Sequence, residues 1–302
     1  SHFEITQVDF DGAYLHAPLG DEQIFMEQPW TFEKVGPNGE AMVCKLLRAL
    51  YGLKQAGRLW YQTLRTWMEA YGFKCMDMDQ CVFILHKGGV WLVAWVYVDD
   101  MGVFGDTELK QAFLGALATK FSISNKGQLQ YYLGLNCRVA DGRASLDQAK
   151  YIGELLTEFG LQGVYPATTP MLSKPMEVEP TLGVEEHATF RRMVGCLVYI
   201  MIMTRPDIAY SVSCVSRYLH EPHQGHLRAC KRIYAYLSGT RHHAPTYNTS
   251  NSEIVTFVDS NFGNCMETGR SQSGLVSLMF GAAWLWRSVR QPVVAQSTSE
   301  AE

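Results

Sequence analysis

The most pronounced hydrophobic segment of the chain is an uninterrupted apolar run at residues 90–96, rich in valine and tryptophan. A run of this length, with β-branched and aromatic residues, is typical of a buried β-strand. We predict that residues 101–104 form its hairpin partner. Shorter apolar segments predict further strands at residues 5–10, 23–26, 42–46 and 254–259.

Helical periodicity is the second pattern in the chain. Apolar residues recur every three or four positions in several segments, which indicates helices with one buried face. Asp106 or Thr107 is expected to cap one of them. The predicted helical segments are residues 59–71, a helix after residue 106, residues 148–159, and a region at 185–237 that is broken near residues 204–206 and 221–222. A stretch at residues 165–182, rich in Pro, Thr and Ser, is interpreted as a linker.

Composition sets limits on the class of protein. The chain has 302 residues, of which 47% are apolar, so it can form two or three domains with substantial cores, and wholesale disorder is excluded. A net charge of −4 argues against a generally basic surface but permits local basic stripes. One stripe interleaves basic and aromatic residues, which suits phosphate contact and base stacking, although a solvated helix face would look similar. It contains Lys45, Arg48, Lys54, Arg58 and Arg65 beside Tyr51, Trp60 and Tyr61.

Metal-binding and targeting signals are weak. The eight cysteines contain no C-x-x-C pair, so we interpret them as reduced core residues of an intracellular protein. His220, His223 and His226 are close in sequence, but Pro222 and Gly225 lie among them, and a metal site there is the less favoured interpretation. No apolar stretch is long enough to span a bilayer, and no signal peptide is visible. Both ends look cut, and we expect a fragment of a longer polyprotein.

Three carboxylates form the main chemical signal. Asp99 and Asp100 follow the long apolar strand, and Asp9 lies on the predicted strand at residues 5–10. Adjacent carboxylates at the tip of a buried strand are costly without counter-charge. Two divalent metal ions, which stand about 3.5–4 Å apart in many phosphoryl-transfer sites, would supply it. The pattern favours nucleotidyl transfer, with an ordinary hairpin turn and a surface strand acid as the alternatives.

An ordered series of short motifs extends over nearly the whole chain. It consists of Val8-Asp9, Ala13-Tyr14-Leu15, Met26-Glu27-Gln28-Pro29, Leu50-Tyr51-Gly52-Leu53-Lys54-Gln55-Ala56, Arg58 with Trp60-Tyr61, Tyr97-Val98-Asp99-Asp100, Tyr132-Leu133-Gly134, Lys150-Tyr151-Ile152, Thr169-Pro170, Thr204-Arg205-Pro206-Asp207-Ile208, Lys231-Arg232-Ile233, Tyr236-Leu237, Gly239-Thr240, Arg270-Ser271-Gln272-Ser273-Gly274 and Ser299-Glu300-Ala301-Glu302. Together these motifs resemble the reverse transcriptase of copia-type long-terminal-repeat retrotransposons.

The resemblance implies an α+β fold. It consists of a right-hand polymerase palm, with an antiparallel sheet and helices, followed by a thumb, a connection and a truncated ribonuclease H-like α/β piece. The implied bounds are residues 1–140 for the palm with partial fingers at about 18–50, 141–180 for the thumb and linker, 181–250 for the helical connection, and 251–302 for the ribonuclease H-like piece. The implied activity is DNA synthesis from deoxynucleoside triphosphates on RNA and DNA templates.

The resemblance also implies roles for individual residues. Asp9 and Asp99 match the two principal ligands of two Mg²⁺ (or Mn²⁺) ions, Asp100 matches the third acid, and Phe10 would offer its backbone carbonyl to a metal. Tyr14 matches the residue that screens the sugar 2′ position. The remaining matches are Asp11, Gly12, Ala13, Tyr51 and Gly52 for nucleotide binding, Tyr132, Leu133 and Gly134 for the primer grip, and Asp259 and Glu302 for half of a ribonuclease H site.

The chain departs from the family pattern at Gly57, where proline is usual and a loosened template-side turn is expected, and at Asn261, where a second acid is usual. The basic fingers segment before Asp9 and the later ribonuclease H acids are expected to lie outside this fragment. The implied partners are an RNA template, a DNA primer–template and deoxynucleoside triphosphates, with no membrane, and the implied location is a cytoplasmic virus-like particle or the nucleus. The alternatives are an inactive or repurposed relic that binds nucleic acid, and a structural subunit of an active enzyme.

Overall fold

The structure is a computed structural model that describes residues 4–172, 179–263, 265 and 267–302. The chain divides into two compact units, Ser1–Leu129 and Gln130–Glu302. Antiparallel sheets and α-helices occur in both units, which confirms the mixed α+β class predicted from the sequence. Residues 173–178, the middle of the predicted linker, lie outside the described residues.

The first unit is built around one antiparallel sheet with the strand order β4-β5-β6-β7-β1-β8. Its elements are β1 (Thr6–Phe10), β2 (Phe25–Met26), β3 (Cys44–Lys45), α1 (Ala56–Tyr71), β4 (Lys74–Cys75), β5 (Val82–Lys87), β6 (Val90–Tyr97), β7 (Asp100–Gly105), α2 (Thr107–Lys120) and β8 (Ile123–Gln128). β2 and β3 pair separately, as a short two-stranded sheet. A 3₁₀ turn follows β1 at Ala13–His16.

Alternation along β1 decides which side chains enter the core. Val8 and Phe10 are buried, whereas Gln7 and Asp9, on the opposite face, are partly exposed. The Phe10 ring packs edge-on against Trp60 of α1, with ring centroids 5.0 Å apart. One face of the strand therefore packs in an aromatic core, and the face with Gln7 and Asp9 stays accessible to solvent.

Helix α1 matches its predicted stripe and its predicted end. The residues Trp60, Leu64 and Met68 are buried, and Gly72 adopts the left-handed conformation, with φ of 115°, that glycine provides at helix ends. Asp106 caps α2 by accepting a hydrogen bond of 2.9 Å from the amide of Leu109. Both helices contribute to the same hydrophobic core as the sheet.

The second unit combines two antiparallel sheets with a group of helices. Its elements are β9 (Tyr131–Tyr132), β10 (Leu135–Ala140), β11 (Arg143–Asp147), α3 (Ala149–Glu158), α4 (Val184–Met203), α5 (Ala209–Ser216), α6 (Gln224–Thr240), β12 (Thr246–Asn248), β13 (Ile254–Asn261), β14 (Gln272–Met279), β15 (Ala282–Arg290) and α7 (Thr298–Ala301). The sheet orders are β12-β11-β10-β9 and β13-β14-β15. α3, α4, α5 and α6 share one hydrophobic core.

The predicted break after α4 is organised by a buried arginine. Arg205 is 2% exposed and forms two hydrogen bonds, of 2.9 and 2.7 Å, to the carboxylate of Asp207. Its other donors reach the carbonyl and the hydroxyl of Thr240 at the end of α6, at 3.0 and 2.7 Å. Tyr236 completes the group by donating to Asp207 at 2.8 Å. The motif that contains Arg205 therefore has a structural function: it ties the end of α6 to the chain between α4 and α5.

No helix in the described part of the chain is long and apolar enough to cross a membrane. All eight cysteines are free thiols. Gly57 is the second residue of α1, so a loosening effect of glycine at this position would act on the first turn of that helix.

Candidate active site

The structure brings the three predicted acids together at one end of the first sheet. β1 and β7 are neighbouring antiparallel strands, and Asp9 lies directly opposite Asp100 in their register. Opposed residues on such strands have Cα atoms about 4.5–5.5 Å apart. Asp99 belongs to the turn between β6 and β7, and its carbonyl accepts a hydrogen bond of 2.7 Å from the amide of Phe10. The structure thus has the convergence of acids on which the sequence interpretation depends.

Asp9 has a basic neighbour that the sequence did not reveal. Its carboxylate lies 3.5 Å from the ammonium group of Lys126, and the Asp9 side chain is 34% exposed. Lys126 is the extra residue of a β-bulge in β8, where the register with β1 shifts between Gln7 and Val8. Bulges redirect side chains and are frequent next to active sites. The bulge therefore places one positive charge beside the acids.

Asp100 is the partly buried first residue of β7. Burial raises its pKa, a hydrogen bond of 3.2 Å from the Gln7 amide lowers it, and the negative charges of Asp99 and Asp9 raise it again. The three carboxylates therefore repel one another, and the site has an unbalanced negative charge that favours cations. Gln7 carries a weak sequence signal for this role, because it lies two positions before Asp9 and so on the same face of β1. Lys126 carries none.

The acids provide suitable oxygen donors for a hard divalent cation, but their side chains are not arranged as a complete coordination site. Carboxylate oxygens are the ligands that magnesium prefers. Within the described residues, no group of three or more His, Cys, Asp or Glu side chains is arranged to hold a metal ion. Instead, Asp9 and Asp100 are engaged by Lys126 and Gln7. The donor set fits magnesium chemically, and a bound ion would replace these contacts.

The turn that carries Asp99 is strained. Tyr97 pairs with Asp100, so Val98 and Asp99 form a two-residue hairpin turn. Val98 has φ of 53°, a value that β-branched residues rarely adopt. Hairpin turns with this geometry usually have glycine at the first central position. Holding a valine there costs on the order of 1–3 kcal/mol, so contacts around the turn must maintain it.

The predicted nucleotide-binding residues flank the acids. The rings of Tyr14 and Tyr51 are in contact, with centroids 4.5 Å apart. The pKa of Tyr51 is raised, first by burial and then by the negative charges of Asp99, Tyr14 and Asp9, while an interaction with the backbone of Ala13 opposes the shift. The two tyrosines therefore lie together near the carboxylates.

Three other predicted nucleotide-binding residues, Asp11, Gly12 and Gly52, have structural features of their own. The Asp11 carboxylate accepts hydrogen bonds from the hydroxyls of Ser122 and Ser124, at 2.9 and 3.0 Å, so its side chain is engaged within the protein. Gly12 and Gly52 have φ of 64° and 97°, backbone conformations that favour glycine. These positions shape the backbone around the tyrosines.

The predicted primer grip is a tight hairpin in the second unit. Tyr132 pairs with Leu135, which makes Leu133 and Gly134 a two-residue turn with φ of 49° and 80°. The hydroxyl of Tyr199, on α4, donates a hydrogen bond of 2.5 Å to the carbonyl of Leu133. A Cβ on residue 134 would lie 2.7 Å from that hydroxyl, so glycine is required. The turn is consequently fixed to the helical core.

The two predicted ribonuclease H acids lie on neighbouring elements of the second unit. Asp259 is an exposed residue near the end of β13, opposite Gly274 of β14. Glu302 follows α7, which lies against β13. Asn261 ends β13, two residues beyond Asp259. The structure gives these acids no further acidic partner in a metal-binding group among its described residues.

A second group of basic residues, Arg228, Lys231 and Arg232 on α6, is partly used inside the protein. Arg228 forms a two-pronged ion pair with Glu179, and Arg232 donates a hydrogen bond of 3.0 Å to the hydroxyl of Thr169. Two of the three basic groups therefore have internal partners.

The histidine cluster is a packing feature. The ring of His226 stacks on Tyr218 with centroids 3.7 Å apart and lies against His223 at 3.5 Å. Its Nδ1 accepts a hydrogen bond of 3.1 Å from the amide of His223, which caps α6. Burial, reinforced by the neighbouring His223, lowers the pKa of His226 from 6.5 to about 4. His226 is therefore held neutral.

This neutral histidine predicts acid sensitivity. Because the folded pKa of His226 lies below the unfolded value, the unfolded chain binds more protons between pH 6.5 and 4. The associated stabilisation is complete above pH 6.5 and decreases as the pH falls, by about 2–3 kcal/mol at pH 4.5. In His226→Gln, which keeps an acceptor for the His223 amide, we expect a flatter pH profile of the unfolding free energy in urea titrations. Exposed His220→Gln should retain the wild-type profile, and equal slopes in all three proteins would contradict the assignment.

Comparison with known proteins identifies the class. A family profile described as reverse transcriptase (RNA-dependent DNA polymerase) matches residues 1–173, which include all three acids of the first sheet. Because the match covers more than half of the 302 residues, the chain belongs to the reverse transcriptase family.

Curated relatives place the chain within retrotransposons. It is 36% identical to the retrovirus-related Pol polyprotein from transposon TNT 1-94 of Nicotiana tabacum, over 99% of this chain and 23% of that polyprotein. It is 33% identical to the Pol polyproteins from transposons RE1 and RE2 of Arabidopsis thaliana, over 99% of this chain and 20% of each of them. The predicted relationship to copia-type Pol polyproteins is confirmed, and the chain spans between 20% and 23% of the length of these relatives.

Proposed function

We propose that this chain is the polymerase portion of a retrotransposon Pol polyprotein and adds deoxynucleotides to a primer 3′ end on RNA and DNA templates. The observation that carries the proposal is the placement of Asp9 opposite Asp100, beside Asp99, in a chain of the reverse transcriptase family. Electrostatic repulsion among these acids gives the site an affinity for cations, which two-metal nucleotidyl transfer requires.

Asp9 and Asp99, with Asp100 and the backbone carbonyl of Phe10, are the proposed ligands for two Mg²⁺ or Mn²⁺ ions. When bound, such ions activate the primer 3′-hydroxyl and stabilise the charge on the triphosphate and the leaving pyrophosphate. The protein contributes the position of the carboxylates on adjacent strands, so that both sides of the reacting phosphate can be held in line.

The walls of the site determine which nucleotide fits. Tyr14, supported by its ring contact with Tyr51, is proposed to lie against the sugar and to exclude a 2′-hydroxyl by steric contact. The backbone of Ala13 and the exposed turn at Gly52 are proposed to border the incoming nucleotide, together with Asp11 and Gly12. The hairpin of Tyr132, Leu133 and Gly134 is proposed to hold the primer, a role that its attachment to Tyr199 supports.

The rest of the chain is assigned on the family pattern. We propose that residues 251–302 begin a ribonuclease H-like domain in which Asp259 and Glu302 are two of the acids. The proposed partners are an RNA template, a DNA primer–template and deoxynucleoside triphosphates. The proposed site of action is a virus-like particle in the cytoplasm, or the nucleus.

The test of the proposal is primer extension. The 302-residue chain and a longer Pol segment that contains it are mixed with a DNA primer on an RNA template, deoxynucleoside triphosphates and magnesium. We expect extension that requires the template and stops when magnesium is chelated. A second measurement titrates primer–template binding with salt, because phosphate contacts make affinity fall steeply with ionic strength. Salt-sensitive binding without extension by either protein would contradict the polymerase proposal and would indicate a relic that binds nucleic acid without catalysis.

Sugar selectivity gives a residue-level prediction. Tyr14→Ala removes the ring that faces the sugar and should raise the relative use of ribonucleotides by about 10–100-fold, since loss of a steric contact in a binding pocket is worth about 1–3 kcal/mol. The measurement compares kcat/KM for a deoxynucleotide and the matching ribonucleotide. Tyr14→Phe keeps the ring and should retain wild-type selectivity. Unchanged selectivity in Tyr14→Ala would remove Tyr14 from the sugar pocket.

A further inference from the structure

The strained turn that carries Asp99 is held by a buried tryptophan. The indole Nε1–H of Trp60 donates a hydrogen bond of 2.6 Å to the carbonyl of Val98. Trp60 is 2% exposed and lies on α1, so its ring cannot turn away into solvent. Val98 is the residue whose φ of 53° disfavours the turn. The donor therefore acts on the peptide group at which the strain is located.

The same ring also contacts the strand that carries Asp9. Phe10 packs edge-on against Trp60, with centroids 5.0 Å apart, and the Phe10 amide donates to the carbonyl of Asp99 at 2.7 Å. Successive carbonyls of the turn are thus fixed from two sides, Val98 by α1 and Asp99 by β1. Trp60 therefore touches Phe10 of β1, next to Asp9, and Val98 of the turn, next to Asp99.

We propose that Trp60 is a positioning residue that sets the separation of the Asp9 and Asp99 carboxylates. The inference rests on the proposed function, because that separation matters for catalysis when both acids bind metal ions. Without the indole N–H, the valine turn loses the contact that offsets its strain and moves between alternative conformations. The two acids then no longer share one fixed geometry, although the fold around them is preserved.

The chain offers a matched pair of variants. Trp60→Phe keeps an aromatic ring in the core and removes the N–H donor. Trp67→Phe makes the same change about two turns further along α1. There the ring packs on Tyr71, Phe113 and Phe121. Both substitutions shrink rings of the same aromatic core, in which Trp60 is buried and Trp67 is partly buried, so a general loss of packing occurs in both proteins. A difference between them isolates the hydrogen bond to Val98.

The first readout is hydrogen exchange at the Phe10 amide, which reports the contact between β1 and the turn without requiring activity or metal. We expect exchange at Phe10 to be at least ~10-fold faster in Trp60→Phe than in Trp67→Phe, measured where local opening dominates. Adding Val98→Gly should reduce the effect of Trp60→Phe, since glycine accepts a positive φ without strain. Equal exchange in the two tryptophan variants would overturn the proposal.

The second readout separates positioning from simple local stability. Mn²⁺ binding followed by electron paramagnetic resonance should weaken about 5-fold in Trp60→Phe and stay unchanged in Trp67→Phe. In primer extension, kcat should fall about 10-fold with little change in the nucleotide KM, because the geometry of the acids matters most in the transition state. Faster exchange at Phe10 with wild-type Mn²⁺ affinity and kcat would also overturn the proposal. If Asp99→Asn binds Mn²⁺ and extends primers like the wild type, the proposed function fails, while exchange at Phe10 still decides the role of Trp60 in the turn.

Discussion

Asp99→Asn is expected to lower kcat for nucleotide addition by about 10²–10³-fold or more, a larger effect on activity than that of any other proposed substitution. The amide is nearly isosteric with the carboxylate, so the hairpin turn and its hydrogen bond to Phe10 through the backbone are preserved. What changes is the charge at the acidic edge, and with it the ability to hold two cations. Single-nucleotide extension under saturating substrate measures the effect.

The control for this substitution must remove a carboxylate without touching the site. Asp77 is exposed on the segment between β4 and β5, and Asp77→Asn changes the net charge of the chain by the same amount. We expect wild-type kcat in Asp77→Asn and no decrease of the unfolding midpoint in either variant, since Asp99→Asn also relieves repulsion among the acids. Wild-type kcat in Asp99→Asn would place the chemistry elsewhere. A fall of equal size in Asp77→Asn would show that the effect follows overall charge.

The central part of the first sheet is predictable because its physical signals are strong. The apolar run that forms β6 is too long and too rich in β-branched residues to be a turn, and the acids at its end have an obvious energetic cost in a buried strand. Pairing β7 with β6 through a two-residue turn follows directly. That Asp9 would then face Asp100 depends on β1 pairing with β7, a contact between distant parts of the chain that local patterns do not specify.

Other strands carry weaker signals. The sequence patterns do not predict β5, although Gly88 and Gly89 between β5 and β6 have φ of 60° and 83° and form a two-residue turn for which paired glycines are typical. The strands β10 and β11 are short and only partly buried, so their alternation is diluted by polar residues. Predicted strands at residues 23–26 and 42–46 shrink to two residues each, because they pair only with one another.

The residues of the candidate site also differ in how clearly the sequence predicts them. The carboxylates are visible in the sequence because their chemistry is unusual for their position, whereas Tyr14 is distinguished from a core aromatic residue only by the resemblance to the reverse transcriptase family. The contacts of Lys126 and Trp60 are not visible in the sequence, since Lys126 reaches Asp9 through a β-bulge and Trp60 acts through a single N–H on a backbone carbonyl. Both depend on tertiary contacts between residues far apart in the sequence. Residues that position functional groups are consequently harder to find from sequence than the groups themselves.

Arg205→Ala is expected to destabilise the second unit by about 3 kcal/mol, the lower end of the usual cost of removing one partner from a buried ion pair, because the side chain of Asp207 is 34% exposed. The truncation leaves the Asp207 carboxylate without its hydrogen-bonded counter-charge and removes one of the two donors to the carbonyl of Thr240, the other being the amide of His243. Arg205→Lys keeps the charge but cannot reproduce the fork that reaches both partners, so we expect an intermediate loss. Urea unfolding followed by hydrogen exchange at the buried Ile233 and Leu237 amides of α6 reports this unit.

Acid titration adds an independent check on the same ion pair. Burial raises the pKa of Asp207, but the hydrogen bonds and charge of Arg205 outweigh it and leave the pKa below the usual value. Because the folded pKa is lowered, the stabilisation is present above the unfolded pKa of about 4 and is lost as the pH falls through the folded value. Arg205→Ala should remove this part of the acid dependence, whereas Arg143→Ala, on the exposed end of β11, should keep both the acid dependence and the wild-type stability. A loss below about 1 kcal/mol in Arg205→Ala would mean that water replaces the guanidinium, and the tie between α6 and the break after α4 would then be dispensable.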